Sequence, residues 1–127
     1  MADQERLDQF ILQEIDSVPH LEALLLFWRQ RPRPWSARDM AKALYVSEEF
    51  GDQILRDLAN RSLISTLPDQ AGLYRLSVSS PENEKMLETL DRTYRRELIR
   101  ITRMIHSKTS PALQDFARAF RFKKEDR

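Results

Sequence analysis

Residues 35–77 read WSARDMAKALYVSEEFGDQILRDLANRSLISTLPDQAGLYRLS, and a change of hydrophobic period within this stretch decides the fold. Ser36-Ala37-Arg38-Asp39 has the Ser-x-x-acid form of a capping box. Met40, Ala41 and Leu44 then line one face, so a short helix is expected over 37–44. Tyr45-Val46 makes a tight connection and Ser47 caps a further helix, in which Phe50, Ile54, Leu55 and Leu58 recur at helical spacing as far as Asn60. Beyond Asn60 the period falls to two. Leu63 to Leu67 is strand-compatible, Pro68 to Gly72 is rich in turn formers, and Tyr74, Leu76 and Val78 alternate with polar residues, which predicts a hairpin.

Working outward, Leu7, Phe10, Ile11 and Ile15 share a face of a first helix over 3–15. Ser17 with Pro19 opens a second helix carrying Leu21, Leu24, Leu25 and Trp28 to about Gln30. Arg31-Pro32-Arg33-Pro34 is a rigid non-helical connector, because each proline excludes the α region for its predecessor. After the hairpin, Ser80-Pro81 starts a long helix with Leu87, Leu90, Tyr94, Leu98, Ile101 and Ile105 at nearly heptad spacing. Ser110-Pro111 starts a last short helix with Leu113, Phe116, Ala117 and Phe120 on one side. The expected fold is mainly α with a small β-hairpin, divided as 1–80 for the N-terminal helices and the core and 81–127 for a C-terminal helical extension.

Three helices, the last two joined by a tight turn and followed at once by a hairpin, form the order of a winged helix. The quoted stretch resembles the winged helix-turn-helix transcriptional regulators, such as the MarR-like and PadR-like families. Leu58 to Ile64 matches their passage into the wing, with Ser62 where glycine is usual. The resemblance implies a bacterial-type, DNA-binding regulator in which the second helix of the pair enters the major groove and the wing lies over the backbone. Carried onto this sequence, it makes Ser47, Gln53 and Arg56 candidates for base contacts, and Arg31, Arg33, Arg61 and Arg75 candidates for phosphate contacts. Gly51 and Asp57 are expected on the same solvent-facing side.

Charge complicates that expectation. From Ser47 to Arg61 four acids, Glu48, Glu49, Asp52 and Asp57, face two arginines, and the first turn is wholly acidic. DNA affinity rests on phosphate contact, which acids oppose, although acids at a helix N-terminus also favour its dipole. An alternative follows: a protein-interaction module docking through the acidic helix 48–57 and the basic helix 92–103. Residues 1–64 carry 8 Lys/Arg against 11 Asp/Glu, and residues 91–124 carry ten basic residues against Asp91, Glu97 and Asp115. Arg92, Arg96, Arg100 and Arg103 form one helical stripe, either a solvated face or a surface for phosphates or an acidic partner. Arg118, Arg121, Lys123 and Lys124 make a basic end beside Phe116, Phe120 and Phe122. The seam from Leu87 to Ile105 either packs on the N-terminal helix or pairs with its copy. A helix of about 25 residues, around 37 Å long, outreaches so small a domain and favours the homodimer.

Other classes find little support. With no cysteine there is neither a disulfide framework nor a thiolate metal site, and His20 and His106 stand far apart, so no metal or cofactor is expected. Gly51 and Gly72 are the only glycines, which leaves no phosphate-binding loop, and no nucleophile elbow occurs, so an enzyme is not expected. The longest apolar run, Leu24 to Trp28, is far below the roughly 20 residues of a membrane span. A cytoplasmic location and no membrane partner are expected. At 127 residues, 41% apolar and 32% charged, the chain suits one globular core.

Overall fold

The computed structural model describes residues 2–77 and 80–108. Its elements are α1 (Ala2–Glu14), α2 (Val18–Arg29), β1 (Trp35–Ser36), α3 (Ala37–Leu44), α4 (Glu48–Asn60), β2 (Ile64–Leu67), β3 (Gln70–Leu76), α5 (Pro81–Arg96) and α6 (Leu98–Lys108). The serines expected to start helices do so through one device, a side-chain oxygen accepting an otherwise unpaired amide. Ser17 accepts from His20 N, Ser36 from Asp39 N, Ser47 from Phe50 N and Ser80 from Asn83 N.

Helix α2 is the hub. It buries His20, Leu21, Ala23, Leu24, Leu25, Phe27 and Trp28, more than one face, and touches α3, α4, α5, α6 and β3. Leu7, Ile11 and Ile15 close the core from one side, Ile54, Leu55 and Leu58 from another. Helices α3 and α4 approach closely over Gly51. A Cβ there would lie 2.8 Å from the Ala37 carbonyl oxygen and 3.0 Å from the Ala41 Cβ. Gly51 is therefore buried in the helix pair, not presented to solvent as the sequence led one to expect.

Two turns use left-handed residues other than glycine. Tyr45, at φ 58°, ends α3 and is 96% exposed, and Ser62, at φ 63°, carries the chain from α4 toward β2. Ser62 holds the position where the resemblance leads one to expect glycine, and its φ explains the preference: glycine has no Cβ to clash there.

The sheet has a third strand that the sequence pattern does not announce. Its order is β1-β3-β2, all antiparallel, with Trp35 opposite Tyr74, Ile64 opposite Leu76 and Ser65 opposite Arg75. Two residues are too few to show alternation, so β1 exists only through its pairing with β3.

The expected single long C-terminal helix is two helices. Glu97, at φ −127° and ψ 46°, leaves the helical region, and its carboxylate accepts from Arg100 Nε at 2.6 Å beside the start of α6. The break lets both halves turn inward. Leu87, Leu90, Tyr94, Ile101 and Ile105 are buried in the core shared with α1 and α2, while Leu98 is 51% exposed. The expected intermolecular seam is thus corrected: five of its six residues pack within the chain. The arginine stripe is divided as well, with Arg92 and Arg96 on α5, and Arg100 on α6 paired with Asp8 at 3.2 Å. Val78 and the residues of the expected last helix, Leu113, Phe116, Ala117 and Phe120, with the basic end Arg118 to Lys124, lie outside the described residues. No helix among the described residues is long and apolar enough to cross a membrane.

Candidate nucleic-acid interface

Helix α4 carries the three candidate base-contacting residues, each already engaged. Ser47 Oγ accepts the Phe50 amide at 3.1 Å as the N-cap. Arg56 Nε lies 2.9 Å from Asp52 Oδ2, one turn earlier. Gln53 Nε2 donates to Asp57 Oδ1 at 2.9 Å. All three side chains remain at the surface, beside Glu48 and Glu49. A fixed tie lies beneath them. His20 Nε2 stands 2.8 Å from Asp57 Oδ2, and its Nδ1 stands 2.5 Å from Ser17 Oγ, while the edge of its ring meets Phe50. Asp57 therefore faces inward as well as outward, against expectation, and fastens α4 to the start of α2. Along the sequence His20 looks isolated, because its carboxylate partner, Asp57, is 37 residues away.

The ligand atoms of Asp16, His20 and Asp57 lie within 4.8 Å of one another, close enough to surround one cation. Arg61 Nη2 holds Asp16 Oδ1 at 2.6 Å, and Gln53 and His20 hold Asp57, so each carboxylate already has a partner. The arrangement is a satisfied polar tie. Arg61, the fourth phosphate candidate, is likewise engaged within the chain, since it also donates to the Gln13 carbonyl at 2.6 Å and pairs with Glu14 at 3.5 Å. Its hydrogen bond to Asp16 raises its pKa above the ordinary value, against the opposing effect of burial. Arg61 clamps α1 to the end of α4.

The other three phosphate candidates converge. Arg31, Arg33 and Arg75 line one cleft of about 530 Å³ at the root of the wing, with Phe27, Leu76 and Ser77 among its walls and no acidic residue in its lining among the described residues. The guanidinium carbon of Arg31 sits 3.4 Å above the centroid of the Trp28 ring, and that of Arg33 sits 3.9 Å above Trp35. Cation–π attraction holds a guanidinium flat on an aromatic face and restricts an otherwise mobile side chain. Arg33 also donates to Gln30 Oε1 at 2.9 Å, and Arg31 reaches Glu84 only at 3.9 Å. Arg29, nearby in sequence, is diverted to Asp91 at 2.6 Å. The arginines themselves are evident in the sequence but their stacking is not, although the run Trp28-Arg29-Gln30-Arg31-Pro32-Arg33-Pro34-Trp35 places both tryptophans within reach.

Farther off, Tyr94 donates to Glu22 at 3.3 Å, and burial first, then Glu22, push its pKa up to about 12. Lys108 donates to the carbonyl oxygens of Ile11 and Leu12 at the end of α1, and burial lowers its pKa.

Neither a protein-family model nor a curated protein matches the chain in sequence. Among solved structures it is similar to MepR, a transcription regulator of the Staphylococcus aureus multidrug efflux pump MepA. The TM-score is 0.52 with 17% sequence identity, over 98% of this chain and 89% of that one. The chain has a winged-helix fold, a mostly helical body with a small three-stranded antiparallel sheet.

Proposed function

We propose that this protein is a dimeric winged-helix regulator of transcription that binds double-stranded DNA in the cytoplasm and is not an enzyme. The observation that carries the reading is the convergence of Arg31, Arg33 and Arg75 on one cleft at the wing root, free of lining acids among the described residues. In a winged helix that region lies over the duplex backbone, where guanidinium forks meet phosphate oxygens. Ser47, Gln53 and Arg56 are then the groups nearest base edges, and Gln53 would exchange its bond to Asp57 for one to a base. The similarity to MepR supports the same reading through the fold. The dimer is supported by Leu98 and Ile99, large apolar residues exposed together at the start of α6.

A salt titration of binding to a random duplex tests the DNA reading. Affinity should fall steeply as salt rises, because bound phosphates release counterions. Binding no better than millimolar at low salt, unaffected by added salt, would refute it. For the dimer, Leu98→Asp should sediment as a monomer, and a monomeric wild type refutes the assignment.

One observation favours a second reading, an interaction module without DNA. Glu48, Glu49 and Asp52 line an open groove with Ser47 and Ala37, an acidic face suited to a basic protein partner. A flat salt titration with duplex DNA favours this module.

A further inference from the structure

We propose that Trp28 and Trp35 are positioning residues of a preformed oxyanion clamp, in which Arg31, Arg33 and Arg75 grip a phosphate group at the wing root. The inference deepens the DNA reading and rests on it for the source of the phosphate.

An exposed arginine ordinarily surrenders about 2 kcal/mol of side-chain freedom on binding an anion, which weakens each interaction it makes. Here much of that freedom is already gone. Trp28 and Trp35 are 7% and 2% exposed, so their rings are fixed by the core, and Trp35 is braced further by the edge-on ring of Phe27 at 6.3 Å. The guanidinium carbon of Arg31 lies over the Trp28 ring and that of Arg33 over the Trp35 ring, 3.4 Å and 3.9 Å from the centroids. The N–H donors of a guanidinium lie in its plane, at the edge, so stacking restrains the group without using its donors.

Arg33 commits one donor nitrogen to Gln30, and Arg31 pairs with Glu84 only at 3.9 Å, across two partly exposed side chains. Arg75 comes to the same cleft from β3, paired there with Ser65 on β2, and makes no ion pair among the described residues. Three guanidiniums from two segments suit a tetrahedral oxyanion, whose oxygens point in several directions. A planar carboxylate is satisfied by a single fork.

The site carries its own reporter. The chain has two tryptophans, and both lie under these guanidiniums, so the whole of its tryptophan emission comes from the clamp. The full chain would be titrated at low salt with a 20-base-pair random duplex and, separately, with inorganic pyrophosphate. Each titration would be followed by tryptophan emission, with the anisotropy of a labelled duplex as an independent measure of binding. Emission should change with the same midpoint as anisotropy.

Arg31→Lys keeps the charge and sits at an exposed position, so folding is not at issue. It should weaken duplex binding about 3- to 10-fold through loss of the stacked fork. Trp28→Phe keeps a ring and should fall between the two proteins, while Trp28→Leu, checked for native melting, should match Arg31→Lys.

Salt-dependent duplex binding with flat emission, and with Arg31→Lys equal to wild type, overturns the clamp and leaves the DNA reading standing. Emission that responds to pyrophosphate without any duplex binding keeps the clamp as a site for a free phosphate and overturns the DNA reading. No response to either probe overturns both.

Discussion

Helix α4 and the wing root carry opposite charge and use it in opposite ways. On α4 the polar groups satisfy one another: Arg56 pairs with Asp52, Gln53 with Asp57, and Asp57 with the buried His20. At the wing root Arg31 and Arg33 are held on aromatic faces, and among the described residues no acid lines the cleft they share with Arg75. Positive charge alone does not mark a binding surface. Arg61 and Arg100 carry the same positive charge as the clamp arginines, yet carboxylates hold them as internal struts, and hydrogen bonds to Asp16 and Glu97 respectively raise their pKa values. A surface is available for an anion where its cations have aromatic or solvent neighbours in place of acidic ones.

The largest expected effect breaks the comparison directly. Replacing Arg31, Arg33 and Arg75 together by alanine should lower duplex affinity by about 100-fold or more at low salt, and should reduce the salt slope by about 0.9 for each phosphate no longer neutralised. Thermal melting should fall by only a few degrees, since all three are exposed and two lose a contact of about 0.5–1 kcal/mol over a tryptophan ring. Equal affinity would show that the wing root does not touch the backbone.

Arg61→Ala supplies the converse. Stability should fall by about 0.5–1.5 kcal/mol in urea unfolding, because Asp16 and the Gln13 carbonyl lose a charged donor at a partly exposed site. Duplex affinity of the folded protein should stay unchanged, and weaker binding at undiminished stability would return Arg61 to the phosphate set.

Glu48→Gln with Glu49→Gln probes the acidic side more gently. If α4 meets the duplex, removing two like charges should raise affinity by about 2- to 5-fold, while stability falls by a few tenths of a kcal/mol from the weakened match to the helix dipole. Unchanged affinity would place α4 away from the DNA.

The smallest effect lies outside both regions and serves as a control. Tyr94 is neutral when protonated, and its pKa is raised from 10.0 to about 12 in the folded chain, so the unfolded chain loses this proton first. The stability it contributes is complete below pH 10 and is lost as pH rises from 10 toward 12. Ultraviolet absorbance should show a tyrosine ionising near pH 12 that Tyr94→Phe removes, and the same substitution should flatten this part of the pH profile.

Much of the fold is legible because its signals are local. Ser36 and Ser47 cap helices by bonding amides three residues on, so the bounds of α3 and α4 can be read from neighbouring residues. Strand β1, by contrast, needs its partner β3. The break at Glu97 is hidden because apolar residues keep helical spacing on both sides of it, and spacing alone does not reveal that one residue between them leaves the helical region. The candidate site divides similarly. Its arginines are visible as residues, whereas the separation of Arg61 from Arg31, Arg33 and Arg75 depends on which acids the fold brings near.

By itself the sequence determined the order of helices and the hairpin, the acidic first turn of α4 and the stock of arginines, since caps, period and composition act over a few residues. Only the tertiary structure decided that the apolar residues of α5 and α6 close the chain's own core, that His20 fastens α4 through Asp57, and that two tryptophans carry two arginines at the wing root. Those outcomes depend on distances between segments far apart in sequence or on side-chain placement around a turn, and burial and charge pairing act through space.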